Sequence, residues 1–502
     1  MNEVLTQSAT ELANHIASGA LSSTEVVTAH IDRILEVNPS LNALVVARFD
    51  EALAEAREAD KAISGKKRSR KLGPLHGVPC TIKEFLAVEG MPHTAGVWAR
   101  RDERASRSAP VVTRLREAGA IILGLTNAPE GGLWYESNNP VYGRTSNPWD
   151  LYRTSGGSSG GEGAIIAAGG SPFGIGSDVG GSIRIPASLC GISGIKPTGG
   201  MVPSTGHFPY PPSGEVAYMQ AGPMARDARD LKTLLRIISG PDGEDPQCRD
   251  WPLKAVDEVD LSKLNVHALP GNGRAWVRKS VRKAVEDAAD VLTDLGATPM
   301  DTEFPNLSRT FEIWAAVLTE CGDNYADIVG GGQPIPLVRQ MLAYPVGRSH
   351  HSASVLFMMA LERVLEMLPS ATSSLAEEAD RLRANIEAVL GPTGVLLHPV
   401  TSRTAPRHRA TLIGNPLDPG LTTAFNITTL PAAVVPVGFD ESGLPLSVQI
   451  IARRGHDHLC LAVAEALQSH YGRLPIAEPK WGKPLPFGLQ LHLPSSSPSQ
   501  KP

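Results

Sequence analysis

The feature that most constrains this chain lies between residues 130 and 222, a stretch dense in Gly, Ser and Pro. Flexible linkers share that composition. They lack, however, the apolar segments that recur here: Ala164–Ala168, Phe173–Ile175, Ile183–Ile185 and Ile192–Ile195. Glycine lets backbones approach closely and take unusual dihedrals. The stretch therefore predicts tight backbone packing around a site.

Two segments inside it carry chemistry. One reads Gly156-Gly157-Ser158-Ser159-Gly160-Gly161, the other Gly176-Ser177-Asp178-Val179-Gly180-Gly181-Ser182-Ile183-Arg184. Each places serine among glycines, where successive amides can point into one cavity and suit an oxyanion. A serine nucleophile needs a base. In sequence no histidine adjoins either segment; His207 follows in a Pro-rich loop and reads as structural or as pocket lining. The candidate base is Lys83, which ends the apolar run Val78–Ile82. Desolvation would lower its pKa and leave a neutral amine. Spacing alone leaves a second reading open, in which Lys83 snorkels to solvent or pairs with Glu84.

Periodicity places these segments in a larger pattern. Residues 8–37 predict two helices, because Ser8 with Glu11 and Ser22 with Glu25 have capping-box spacing. Pro39 is expected to stop the second, and 41–63 to form a third. Helices are also expected at 107–118, 223–240, 277–296 and 456–471, and over most of 311–391 with a break at 330–336. Strands are expected at the end of 73–83 and at 120–125, 264–268, 394–399 and 432–438. Short apolar strands alternating with helices imply an α/β core.

Composition excludes several classes. The net charge of −5 over 502 residues gives no whole-protein attraction to nucleic acid or an acidic membrane. The basic run Lys66–Lys71 reads as a solvated loop. Five scattered cysteines without CxxC spacing (Cys80, Cys190, Cys248, Cys321, Cys460) argue against a disulfide framework or a zinc site and fit a reducing, cytoplasmic compartment. No signal peptide is visible at the N-terminus, and no segment approaches the roughly 18 apolar residues of a membrane span. Without a ligand cluster, Walker-type loop or G-x-G-x-x-G, no metal or organic cofactor is expected.

The stretch GGSSGGEGAIIAAGGSPFGIGSDVGGSIRIPASLCGISGIKPTG (156–199) resembles the amidase-signature enzymes, most closely their fatty-acid amide hydrolase branch. GPLHGVPCTIKE (73–84), AGAIILGLTNAPE (118–130), GRTSNPWD (143–150), AGPMARD (221–227), FNITTLPAAVVPVGF (425–439) and GLPLSVQIIA (443–452) follow in the family's order, so the resemblance spans roughly residues 5–470. It implies an α/β fold with a mixed central β-sheet covered by helices on both faces. It also implies one catalytic domain over residues 1–484; the Pro- and Ser-rich composition of 485–502 predicts a disordered tail.

The resemblance further assigns roles. Ser182 matches the nucleophile and Lys83 the catalytic lysine. Ser158, 24 positions before Ser182, matches the bridging serine that follows a cis peptide bond. The amides of Val179, Gly180, Gly181 and Ser182 match the oxyanion hole, and Gly132 falls where backbone meets substrate. Asp178 and Arg184 are expected to brace the turn. Leu125 stands where many relatives have lysine, and no counterpart of the membrane-anchoring segment of animal relatives is expected, which weighs against long-chain lipid substrates drawn from a bilayer. The regions 200–220 and 311–350, the latter with Trp314, Met341, Leu342 and Tyr344, divide between core packing and pocket wall. Where they line the pocket they imply a small-molecule amide, anilide, ester or carbamate with an apolar or aromatic group. Two rivals are an α/β-hydrolase centred on Ser159, with His398, His408 or His456 as partner, and an amidotransferase-type subunit of the same superfamily.

Overall fold

The computed structural model describes residues 2–64, 72–210, 218–304, 307–320, 325–365, 375–413 and 418–482. The basic run at 66–71, the tail at 485–502, Cys321, and residues 211–217 and 321–324 of the expected pocket walls lie outside the described residues.

Among the described residues, eleven strands form the central sheet: β1 (Leu44–Ala47), β2 (Pro79–Lys83), β3 (Ile121–Thr126), β4 (Phe173–Asp178), β5 (Ser193–Lys196), β6 (Gln220–Ala225), β7 (Asn265–Ala268), β8 (Thr298–Met300), β9 (Gly394–Pro399), β10 (Ala432–Phe439) and β11 (Pro445–Ala452). Their spatial order is β1-β3-β2-β4-β6-β5-β10-β11-β9-β7-β8. Strand β2 runs parallel to both β3 and β4, and β7 runs parallel to both β8 and β9; the other pairs are antiparallel. The sheet is thus mixed.

Side-chain alternation sends successive residues to opposite faces. Cys80, Ile82, Ile122, Ile175, Val435 and Ile450 join one apolar layer with helices α1 (Ala9–Ser18), 279–294 and 457–471. Ile121, Leu123 and Val434 join a second with α2 (Ser23–Leu41), α3 (Phe49–Ser64), α5 (Gly160–Ala167) and α6 (Arg184–Cys190), α4 being Pro110–Glu117 and α7 Ala228–Ile238. Leu396, Ala432 and Ile451 meet helices 375–390 and 420–427 on that second side. Helices therefore cover both faces. No helix among the described residues is long and apolar enough to cross a membrane.

Three expectations need correction. Pro39 does not stop α2, which runs to Leu41 and is capped by Asn42 in a left-handed conformation (φ 50°). The carbonyl that Pro39 leaves without a donor belongs to Leu35, on the solvent-facing side, where water can serve it. The expected helix over 41–63 is interrupted at its start by β1. Asn38 Oδ1 accepts from the amides of Ala43 and Leu44, which turns the chain into that strand. The expected helix over 223–240 is strand β6 followed by α7, whose N-cap is Asp227.

Two N-terminal helices are docked by carboxylates from elsewhere. Both predicted capping boxes form, at Ser8 with Glu11 and at Ser22 with Glu25. In addition, Asp230 of α7 accepts from the amides of Ala9 and Thr10, and Asp60 of α3 from those of Ser23 and Thr24. Each acid meets first-turn amides that have no intrahelical partner. Asp230→Ala should lower stability by about 1–2 kcal/mol, read as a reduced urea midpoint with unchanged slope. An unchanged midpoint would mean that α1 docks by apolar contact alone.

Candidate active site

The carboxyl ends of three parallel strands meet at one place: Thr126 of β3, Lys83 of β2, and Ser177 and Asp178 of β4. By alternation, Lys83 faces the same side as Thr81, whose hydroxyl donates to Glu162 of α5 at 2.6 Å. That side also holds the turn carrying Ser158 and Ser159, which leads into α5.

Lys83 is fully buried and does not snorkel. Nor does it pair with Glu84, whose carboxylate accepts from the amides of Thr94 and Ala95. Instead its Nζ lies 2.6 Å from Ser158 Oγ, 3.0 Å from Ser177 Oγ and 4.4 Å from the centre of the Phe85 ring. The Gly157–Ser158 peptide is cis. Burial lowers the Lys83 pKa to about 7, against the nearby carboxyls of Asp178 and Glu162, which raise it. Burial likewise raises Glu162 to about 8, against hydrogen bonds from Thr81 and Thr126 and the charge of Lys83. A lysine in this setting is divided between its two forms near neutrality.

Ser182 follows β4 on a tight turn that enters α6. Its carbonyl accepts from the Ser159 amide at 3.1 Å, so the two serine–glycine turns lie side by side. The turn is glycine-dependent. Gly181 has φ 115°, and a Cβ there would sit 2.4 Å from Thr422 Oγ1. The turn's scaffold is the buried pair Asp178–Arg184, which braces it as expected. Asp178 accepts from the amides of Gly181 (2.7 Å) and Ile183 (3.1 Å) and from Arg184 Nε (3.0 Å). Arg184 also donates to Asn426 Oδ1, Gln449 Oε1 and the Thr422 carbonyl. Burial alone would raise the Asp178 carboxyl; the Arg184 charge and hydrogen bonds bring it well below the usual range.

One part of the expected oxyanion hole differs. The Gly181 amide is engaged by Asp178, so Val179, Gly180 and Ser182 are left as the candidate donors. Trp314, which sequence alone does not assign to core or wall, lies against the turn. Its indole Nε1 donates to the Val179 carbonyl at 2.8 Å, and its ring would lie 3.1 Å from a Cβ on Gly180. Gly132 has φ 79° and backs onto the Phe85 ring, in the same corner as Lys83. Around this corner, Phe85, Ala128 and Leu133 pack with Phe208, Ile328, Val329 and Tyr344 in one apolar cluster.

Two contacts are not foreseen from the sequence. Ser177 is one residue among many in its glycine-rich segment, yet its hydroxyl contacts Lys83. His207, far from both turns in sequence, places Nε2 2.8 Å from that hydroxyl. Neither residue type nor spacing marks them, because the contact depends on the pairing of the 204–208 loop with the chain after β2.

Ser159 lies in a different environment. Its Oγ donates to the Ser177 carbonyl and accepts from the Ser177 amide, each at 3.3 Å. His398 Nδ1 meets the Pro399 carbonyl, His408 lies between Glu136 and the Leu151 carbonyl, and His456 Nδ1 meets the Arg454 carbonyl. None of the three partners Ser159.

Comparison with known proteins agrees with this architecture. The family profile described as Amidase matches residues 25–461. The chain is 40% identical to fatty-acid amide hydrolase 2-B of Danio rerio over 94% of this chain and 90% of that protein. It is 32% identical to a glutamyl-tRNA(Gln) amidotransferase subunit of Oleidesulfovibrio alaskensis, over 95% and 100% of the two chains. The solved structure of 6-aminohexanoate cyclic dimer hydrolase with its substrate superposes with TM-score 0.78 at 27% identity, over 95% and 99%. The chain belongs to the amidase-signature family and is an amide-directed hydrolase.

Removing the acceptor at the centre of the turn should be costly. Asp178→Ala leaves Arg184 buried without its anion and frees two amides. We expect a loss of about 3–5 kcal/mol in chemical denaturation. A loss under about 1 kcal/mol would mean that the turn is held elsewhere.

Proposed function

We propose that this enzyme hydrolyses small-molecule amides bearing an apolar or aromatic group, through an acyl-enzyme on Ser182. Ser158 bridges the proton path and Lys83 is the base. The observation that carries the reading is the 2.6 Å contact between Ser158 Oγ and a lysine amine with no access to water. A lysine in bulk water would be an ammonium at neutral pH and useless as a base. Here burial makes the neutral amine available.

The steps follow. Neutral Lys83 takes the Ser158 proton as Ser158 takes that of Ser182, and Ser182 Oγ attacks the carbonyl carbon. The amides of Val179, Gly180 and Ser182 receive the developing oxyanion, with Gly181 anchored on Asp178. As the tetrahedral species collapses, the C–N bond breaks and the proton returns from Lys83 through Ser158 to the leaving amine. Water then repeats the cycle on the ester and releases the acid. Gly132 and Ser158 flank the bound carbonyl. The relay takes the place that histidine fills in a Ser-His-Asp triad.

Substrate class is inferred from the walls. The apolar groups beside the site, Phe85 with its cluster of Leu133, Phe208, Ile328 and Tyr344 and the Trp314 ring against the Gly180 turn, favour flat or apolar groups. Anilides, carbamates such as urethanes, and esters are open to the same acyl-enzyme chemistry. The Danio rerio relative's name points to fatty-acid amides. Nucleic acid is not a partner in this reading, and scattered buried thiols fit the cytoplasm. The amidotransferase reading has the Oleidesulfovibrio alaskensis relative in its favour. It predicts no turnover of simple amides by the isolated chain, which an anilide assay decides.

Ser182→Ala and Lys83→Ala should each lower kcat by at least about a thousandfold while far-UV circular dichroism is unchanged. A fluorophosphonate should place one adduct on Ser182, with the rate strongly reduced in Lys83→Ala. Because the neutral amine is the active form, wild-type kcat/KM should rise with pH through about 7 and level off above it. An adduct on Ser159, or full activity in either variant, would overturn the mechanism.

A further inference from the structure

His207 is buried beside the lysine but touches neither Lys83 nor Ser158 directly in the hydrogen-bond network. Its Nδ1 lies 2.7 Å from the Pro209 carbonyl and its Nε2 lies 2.8 Å from Ser177 Oγ. Ser177 Oγ is in turn 3.0 Å from Lys83 Nζ. The chain Pro209–His207–Ser177–Lys83–Ser158 is therefore continuous. It is also built rather than incidental. The Phe208 amide donates to the Phe85 carbonyl and the Ala87 amide to the Gly206 carbonyl, so the His207 loop is pinned to the segment that carries Lys83. The imidazole packs edge-on against Phe85.

The polarity of this chain is fixed at its outer end. A carbonyl oxygen only accepts, so Nδ1 carries the imidazole proton. In the neutral ring Nε2 is then an acceptor, and the Ser177 hydroxyl must donate to it. With its one proton committed, Ser177 Oγ can only accept from Lys83. A neutral amine has two N–H bonds and one lone pair. Its N–H bonds face Ser177 Oγ and, at 3.4 Å, the Ser177 carbonyl. The lone pair is left for the hydroxyl of Ser158.

We propose that His207 is a positioning residue that sets the direction of this chain, holding the Ser177 hydroxyl away from Lys83 so that the lysine lone pair meets only the Ser158 proton. The proposal rests on the Lys83–Ser158–Ser182 reading and adds a requirement to it. Without the Nε2 acceptor, the Ser177 hydroxyl turns and donates to the lone pair, which competes with Ser158. Ser177 accepts from Lys83 in both protonation states of the lysine, so nothing in the chain has to reorient during turnover. His207 itself stays neutral at working pH: burial, then the charge of Lys83 and, more weakly, His93, lower it to about 3. The charged or titratable groups facing Lys83 are Asp178, Glu162 and His207.

The test uses the full-length enzyme and an anilide substrate, with His207→Leu, His207→Gln, Ser177→Ala and the His207→Leu/Ser177→Ala double variant. His207→Leu should lower kcat about tenfold, with KM within about twofold of wild type, and slow fluorophosphonate labelling of Ser182 equally. Its acid limb should move to lower pH, because a hydroxyl donating to the amine favours the neutral form. His207→Gln, whose Oε1 can accept, should recover kcat to within about threefold. In the double variant the His207→Leu effect should vanish, since no hydroxyl remains to turn. If His207→Leu does not fold, His207→Asn, too short to reach Ser177, replaces it. An unshifted acid limb with wild-type kcat, or a full His207→Leu effect on the Ser177→Ala background, would overturn the proposal. Loss of the Ser182 adduct dependence on Lys83 would instead sink the underlying mechanism.

Discussion

The structure is organised around an amine taken out of water. Charging a buried lysine is opposed by the loss of hydration, and only partly helped by the carboxyls of Asp178 and Glu162. The fold meets that cost with geometry. A lysine at the end of a central strand, fixed on both sides by parallel neighbours, cannot swing out to solvent. Ser158, Ser177 and the Phe85 ring occupy the directions around its nitrogen. Lys83 and Ser177 sit at strand ends, and Ser158 and Ser182 on the turns that lead into α5 and α6.

A second buried charge pair separates architecture from chemistry. Asp178 and Arg184 flank Ser182 in sequence, yet their bonds run to turn amides, Asn426, Gln449 and Thr422. They tie the turn to the helix 420–427 and to β11, on the far half of the sheet. Arg184 and Asn426 stand 242 positions apart, so the turn is held by the C-terminal half of the chain. Trp314 reaches the same turn from outside, on the Val179 carbonyl.

Much of this is legible in the sequence, for identifiable reasons. Lys83 stands out because an apolar run ending in lysine is unusual, and the serine–glycine turns because glycine density with apolar interruptions signals close packing. The helix starts that follow Ser8 and Ser22 are written locally, in capping boxes. Where the structure departs from the sequence pattern, tertiary pairing overrides local preference. Leu44–Ala47 precedes an Ala- and Glu-rich run, and the turn made by Asn38 directs it into a strand. Gln220–Ala225 pairs with β4 over its whole length, and the helix starts after the N-cap Asp227 rather than at residue 223. His207 is invisible as a neighbour of Ser177 because 30 positions separate them.

The central claim is that burial leaves Lys83 with a neutral, basic amine available near neutral pH. The most direct measurement is an NMR titration of the enzyme labelled with 13Cε-lysine, with the Lys83 resonance assigned by its loss in Lys83→Arg. The buried Lys196, also lowered to about 7, is assigned in the same way. The account predicts a Lys83 midpoint at about 7. A midpoint at the ordinary lysine value of about 10.4 would contradict it, because the amine would then be charged whenever the enzyme works.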